Sequence, residues 1–438
     1  MGAGDTDVVI VGMGPAGIFC ALSLLEHGHA GHIVMVDKGL SVRERRCPKQ
    51  LRGPSGACVG CEPCRITAGF SGAGAFSDGK LSLSAEVGGD LPELVGFDVA
   101  QAAIEQVDGI YLSFGADAHV EGLGGKEQLA DIRRRAIKAG LKLVDCPIRH
   151  LGTERARDLY ARIEEHLVAS GVELRFSTTC TQVLIQDGTC VGVALEGPDG
   201  ASELRARHTV VATGRRGADW FERMCREHGI AHGPGPVDIG VRVEVPNAVM
   251  DRLTTHLYEA KLVYYTPTFD DKVRVFCTNP SGEVATEYYD EGLAVVNGHA
   301  YKSQDLKTKN TNFAILVSKN FTSPFKSPIE YGKYIARLGN MLCDGKILVQ
   351  RYGDFKRGRR TTDERMIRNN ITATLKDAVP GDLSLVFPHR IMVDIAEMIE
   401  ALDKVTPGIA SDETLLYGVE VKFYSNKVLV NDDFETNI

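Results

Sequence analysis

Three glycines and four cysteines carry the first chemical signals in this 438-residue chain. Gly12, Gly14 and Gly17 form a G-x-G-x-x-G run directly after the apolar, β-branched stretch Val8–Val11, and a helical pattern through Ala21, Leu22 and Leu25 follows. In such a strand–turn–helix the first glycine permits the tight turn. The second lets a pyrophosphate approach the backbone, and the third lets helix and strand pack closely. The helix, entered through Pro15 and Ala16, offers unpaired N–H groups and about half a positive charge to phosphates. A second apolar run, HIVMVDKG, ends in Asp37 and Lys38, and Asp37 stands where a carboxylate accepts bonds from a ribose diol. That charge repels a 2′-phosphate, so NADP is disfavoured in this pocket. A chance glycine triplet would not bring strand, helix, second strand and acid into register.

Cys47, Cys58, Cys61 and Cys64 follow in C-x10-C-x2-C-x2-C spacing. Three thiols from one irregular loop, with Cys47 folding back, would complete a tetrahedral set. The C-x2-C-x2-C part is closer to cluster-binding loops than to the paired units of structural zinc. The expectation is a thiolate metal site near the cofactor, an iron–sulfur cluster before zinc, which would also order a loop with little apolar content. A redox dithiol and four incidental thiols remain the alternatives.

The bulk composition restricts the surroundings. With 43% hydrophobic and 25% charged residues and a net charge of −8, the chain reads as an ordinary globular protein without the basic face that nucleic acid requires. No apolar run reaches a membrane span, and the N-terminus lacks the positive region of a secretory signal. Eleven cysteines without such a signal read as reduced thiols, so the expected location is cytoplasmic. A small-molecule substrate is expected, with no nucleic acid and no membrane as partner.

The elements that position these residues divide the chain. After Asp37 a stretch without periodicity runs through the cysteines. A helix is expected from about Glu154 to Ala169, then paired strands in VELRFSTTCTQVLIQDGTCVGVALEG, then a buried strand HTVVATG ending at Ala212, Thr213 and Gly214. A fingerprint at the extreme N-terminus, a late meander and a strand ending in A-T-G are the layout of an FAD domain of the glutathione-reductase type. An NAD domain would continue with further helix–strand units. The segment GPGPVDIGVRVEVP marks a boundary. Beyond it KLVYYTPTF, KVRVFCTNP, EVATEYY, LAVVNGHAY and NTNFAILVS read as strands of an antiparallel sheet, with helices near 329–342 and 392–403. The expected fold is α/β. A Rossmann-like FAD-binding domain (1–235) is interleaved with a mixed α+β substrate domain (236–407), and residues 408–438 return to the first domain.

The blocks GMGPAG, RRCPK, GAGAFSDGKL, IRHLGTER, PVDIGVRVEVP, TFDDKVRVFCTNP, NTNFAILVS and LLYGVEVKFYS together resemble the FAD-dependent dehydrogenase family over essentially the whole chain. The resemblance implies FAD, an unassigned redox reaction, and FAD contacts at Gly12, Gly14, Gly17, Asp37 and the loop Gly72–Lys80, with Gly74, Ala75, Phe76, Ser77 and Asp78. Flavoproteins of this type continue from a last strand into a glycine–aspartate motif. Here FETNI is expected as that strand, with the chain stopping as it begins, so a fragment is the favoured reading.

Several side chains invite a catalytic role. Lys80, in the glycine-rich loop, would place a cation beside the flavin and stabilise its anionic reduced form. His150, beside Arg149, is the first choice for proton transfer, although His150, His299 and His389 are all more readily structural. His27, His29 and His32 sit where a helix turns into a strand, and a solvated loop explains them. The run KRGRR at 356–360 is either a solvated face or a site for an anionic substrate or the phosphate of NADPH. The leading function is an FAD-dependent dehydrogenase or reductase moving a hydride between a small molecule and flavin N5, with NAD(P)H as donor or acceptor left open. The alternatives are an electron-transfer or redox-sensing flavoprotein using the cysteines, and a flavin monooxygenase.

Overall fold

The computed structural model of the chain describes residues 6–48, 59–76, 79–151, 153–233, 235–289, 292–301, 304–321, 324–325, 327–424 and 427–438. Two sheets organise them. In the first, Thr6–Val11 is flanked in parallel by Ile33–Val36 and by Gly200–Val211. Glu173–Arg175 extends the parallel part, and Thr189–Gly197 and Thr179–Gln186 continue the other side as an antiparallel meander. The central strands are unbroken apolar runs because both faces are covered. Ile10 and Met35 pack with Ile18, Leu159 and Ile163 of the helices Pro15–Glu26 and Thr153–Ala169. Val9, Val11, Val34 and Val36 pack on the other side against Val193, Leu195 and Met224.

The second sheet has eight strands, in the order Val379–Pro380, Leu348–Arg351, Leu415–Phe423, Val237–Pro246, Asn310–Lys319, Lys272–Asn279, Lys261–Tyr265 and Lys142–Val144. All neighbours are antiparallel except the first pair. Strand side chains alternate between faces. Val237, Ile239, Val241, Val243 and Val245 therefore bury together against Ile335, Ala336, Ile391, Ile395 and Met398 of the helices Pro328–Leu342 and His389–Asp403. Asp238, Arg242 and Glu244 point to the opposite face and are nonetheless fully buried. The hairpin Glu283–Tyr288/Ala294–His299 reaches that face, where the Asn297 carboxamide accepts from Arg242. The architecture is the expected α/β class, and the two parts are interleaved. Lys142–Val144 of the first joins the second sheet, while Lys427–Val428 pairs with His232–Gly233.

Three expectations change. The return to the first domain does not begin at 408, because Leu415–Phe423 lies between Val237–Pro246 and Leu348–Arg351 in the second sheet. A wholly apolar-flanked strand announces burial but not which sheet receives it. The strand ends at Phe423, Lys427–Val428 pairs with His232–Gly233, and the Asn437 carboxamide then bonds Ala231 and Gly229. Residues 434–438 form no strand. Helices also occupy Leu91–Val95, Phe97–Ser113 and Lys126–Lys138, a region with no expected elements. Phe97–Ser113 buries only Ala100 and Tyr111, and Lys126–Lys138 only Ile132 and Ala136, so their apolar stripes are too thin to mark a helical period. Among the described residues, no helix is long and apolar enough to cross a membrane.

Candidate functional site

The fingerprint turn is shaped by contacts that exclude side chains. Gly12 has φ +105°, and a Cβ there would sit 2.4 Å from the Ala212 carbonyl oxygen. A Cβ at Gly17 would lie 2.0 Å from the Gly12 carbonyl. Gly14 differs: it caps the helix Pro15–Glu26 with φ −74° and ψ 179°, and its Cβ position meets nothing within 4 Å. Open space at the N-terminus of a helix, next to donors with no intrahelical partner, fits a pyrophosphate. Pro15 and Ala16 form the first turn of that helix.

Asp37 closes the turn from the other side. One carboxylate oxygen accepts from the Met13 N–H at 2.9 Å and the other from the Gly39 N–H at 2.8 Å. Each oxygen has a second lone pair for a ribose hydroxyl. Lys38 follows, half-buried. Ala212 donates its N–H to Val11 at 2.8 Å, which sets the A-T-G turn against the fingerprint. Gly214 has φ +57° and faces open space. These residues fit FAD.

The glycine-rich loop folds directly over this turn. Ser71 donates its N–H to the Met13 carbonyl at 2.8 Å, and a Cβ at Gly72 would lie 3.5 Å from the Gly14 Cα. Gly74, Ala75 and Phe76 form a short 3-10 turn, and Gly74 faces the Tyr160 hydroxyl. Ser77 and Asp78 lie outside the described residues. A cavity of about 450 Å³ opens beside the helix start, bordered by Ala16, Phe19, Gly74, Lys80, Tyr111 and Tyr160.

Lys80 carries the loop to the second sheet. Its ammonium lies 3.4 Å from both the Thr278 carbonyl and Asn279 Oδ1, and 3.9 Å from Glu259. Glu259 is also paired with Lys261 at 2.6 Å. Burial pushes the Glu259 carboxyl up, but Lys261 and Lys80 together hold it below the usual carboxylate range. His150 pairs with Lys80 across the short antiparallel ladder Lys80–Ser82/Ile148–His150, and its ring lies 5.6 Å from that of Tyr258. Arg149 points elsewhere. Its guanidinium is bidentate on Asp108 at 2.5 and 2.8 Å and donates to the Asp117 carbonyl at 2.6 Å. The structure therefore brings Lys80 and His150 together and leaves Arg149 in a separate buried ion pair.

Cys47, Cys61 and Cys64 are half-buried free thiols, and Cys58 lies outside the described residues. Among the described residues, no group of three or more cysteine, histidine or acidic side chains could hold a metal ion. What orders the described part of the loop is Arg45. It is fully buried and donates to the carbonyls of Arg65, Ile66 and Phe70 and to the Ser71 hydroxyl. Burial pushes its guanidinium down to about 10.

Two features lay beyond the motif reading. One is Arg45 itself, hidden in the basic run RERR. The other is a buried polar chain on the second sheet. Arg242 is bidentate on Glu420 at 2.8 and 2.7 Å and bonds Asn312 and the Cys277 carbonyl, while Lys422 pairs with Glu420 at 3.2 Å. A signal was present: VDIGVRVEV alternates charge with valine in a strand whose neighbours on both sides are strands.

Residues 236–423 match the family described as FAD-dependent protein, C-terminal domain-like. The match supports FAD as the cofactor and an FAD-dependent oxidoreductase as the class. An uncharacterised protein of Clostridium beijerinckii is 26% identical over 428 residues, covering 94% of this chain and 71% of the relative. Among solved structures, glycine oxidase from Geobacillus kaustophilus is 16% identical with a TM-score of 0.33, covering 72% of each chain. L-amino acid deaminase from Proteus vulgaris is 14% identical with a TM-score of 0.35, covering 98% of this chain and 84% of that one.

Proposed function

We propose that the chain is an FAD-dependent oxidoreductase that moves a hydride between a small-molecule substrate and N5 of the flavin, where the glycine-rich loop meets the second sheet. The observation that supports this is the course of that loop. It leaves the fingerprint at Ser71 and delivers the Lys80 ammonium to Thr278, Asn279 and Glu259. When bound, FAD supplies hydride acceptance and return. The chain's own residues bind and orient. The first turn of the helix Pro15–Glu26 takes the pyrophosphate, and Asp37 takes the ribose diol. Lys80 holds positive charge at the domain junction, and His150 beside it is placed to hold or release a proton at a ring nitrogen.

The test is to release the cofactor by heat and to reduce the holoprotein anaerobically with NADH, NADPH and a panel of small organic acids, amines and alcohols. Bleaching of the flavin by a panel member supports the reading, and a purified protein that carries no flavin overturns it.

A second reading is a redox-sensing or electron-transfer flavoprotein, favoured by Cys64. Burial pushes its thiol up, yet the Thr67 hydroxyl, the N–H groups of Ile66 and Thr67, and Arg216 together hold it below the usual thiol range. Arg216 follows the A-T-G turn and donates to the Thr67 hydroxyl at 2.9 Å. Flavin reduction by a dithiol, but by no member of the panel, would select this reading.

A further inference from the structure

The run KRGRR is part of a surface that the flavin site does not use. Lys356 ends the short helix Tyr352–Lys356, and the arginines fan out from the loop that follows it. Asp354, with a side chain wholly shielded from solvent, is the hub. Its carboxylate accepts from Arg359 Nε at 2.6 Å, from the Thr361 hydroxyl at 2.8 Å and from Arg365 at 3.3 Å, with Arg351 at 3.9 Å. These bonds hold the carboxyl below its usual range against the upward push of burial.

Arg357 and Lys356 pair with Asp412, and Arg351 with Glu413. Arg360 donates to the Pro380 carbonyl at 3.5 Å, and Arg368 to the Glu364 carbonyl at 3.3 Å, its charge also helping to hold the Glu364 carboxyl below its usual range. Between 351 and 368 the chain places seven cations, against five carboxylates when Asp412 and Glu413 are included, in a protein whose net charge is −8. Lys356, Arg357, Arg359, Arg360 and Arg368 are exposed. Ile367, set between Arg365 and Arg368 in sequence, is 82% exposed, the highest among the large apolar side chains described.

We infer that this face, where Asp354 holds Arg359 and Arg365 and where Arg360, Ile367 and Arg368 stand exposed in the same segment, docks an acidic segment of a partner protein that carries an apolar side chain among its carboxylates. A solvated face explains scattered charges but not Arg359 and Arg365 converging on one buried carboxylate. A lone phosphate would use the guanidinium forks without Ile367, whereas protein interfaces combine an apolar anchor with arginines. The patch borders Val379–Pro380, the outermost strand of the second sheet. None of its residues is among the expected FAD contacts, so the inference stands apart from the proposed reaction.

The test uses the full FAD-loaded chain and a fluorescein-labelled, glutamate-rich peptide containing leucines, followed by anisotropy. Binding is expected at low salt and should weaken steeply as the Debye length shrinks. The double variant R360A/R368A should bind about tenfold more weakly, and Ile367→Ser should weaken binding by a salt-independent factor. Both side chains of the double variant are exposed, and among the described residues neither bonds the Asp354 hub, so flavin content and circular dichroism should match the wild type. The double variant R133A/R134A, on the distant helix Lys126–Lys138, should bind the peptide as the wild type does. No binding at low salt, or equal binding by R360A/R368A, overturns the inference. Displacement of the peptide by NADPH or by duplex DNA at lower concentration than unlabelled peptide overturns the assignment of a protein partner.

Discussion

The guanidinium of Arg45 lies 4.3 Å from the centroid of the Phe76 ring while donating to the Phe70 carbonyl at 2.6 Å. One buried cation thus ties the end of the cysteine-bearing loop to the last residue of the 3-10 turn that leans on the fingerprint.

Arg45→Ala should therefore cost about 3 kcal/mol or more, because it leaves several buried carbonyls without a donor. The measurement is urea unfolding of the holoprotein together with flavin affinity. A variant with wild-type stability and affinity would show that the loop is ordered by something else.

Gly14 and Gly17 should fail in different ways. Gly14→Val meets open space at a φ that valine accepts, so the fold should persist while FAD binding is lost. Gly17→Ala drives a methyl into the Gly12 carbonyl and should destabilise the fold by about 1–3 kcal/mol. Circular dichroism and flavin content, read together, separate the two outcomes.

Lys80→Met should reveal the charge on Glu259. That carboxylate is held below its usual range in the folded state, so its stabilisation is present at neutral pH and is lost as pH falls through the lowered value. The variant should be about 1 kcal/mol less stable at pH 7, and the gap should close in acid. A gap that stays constant with pH would remove Glu259 from the account.

Cys64 should alkylate faster than Cys61 at pH 7, because its thiol lies below the ordinary range. Arg216→Ala should slow it by removing a nearby cation. Iron, zinc and sulfide analysis of anaerobically purified protein tests the four-thiol site at the same time. Bound metal in stoichiometric amount would restore it.

The sequence was most legible where local chemistry and pattern coincide. Gly12, Gly14, Gly17 and Asp37 declare their roles through spacing, since each answers to a backbone or hydrogen-bond requirement within one strand–turn–helix. The strands from Lys261 to Lys319 could be read because alternation and turn residues bracket each one. Arg45 could not be read that way, because a cation that bonds main-chain carbonyls 20 to 25 positions ahead leaves no trace in composition. The spacing of Cys47, Cys58, Cys61 and Cys64 pointed to a ligand set, and spacing along an irregular loop does not fix where thiols end up. The destination of Leu415–Phe423 was equally hidden, since pairing partners nearly two hundred residues away are a property of the whole sheet.

That strand also sets an order of events during synthesis. The parallel core of the first sheet is complete once Val211 is available to pair with Val11, whereas Val237–Pro246 waits for Leu415–Phe423 to fill the gap beside it. At ribosomal speeds the interval is roughly 10–40 s. Throughout it, a strand carrying Arg242 and Glu244 stands with one edge open and its counter-charge on Glu420 not yet made. The charges that later form the buried chain are then the gatekeepers of a nascent edge, because an ionised arginine without its partner resists pairing with another apolar strand.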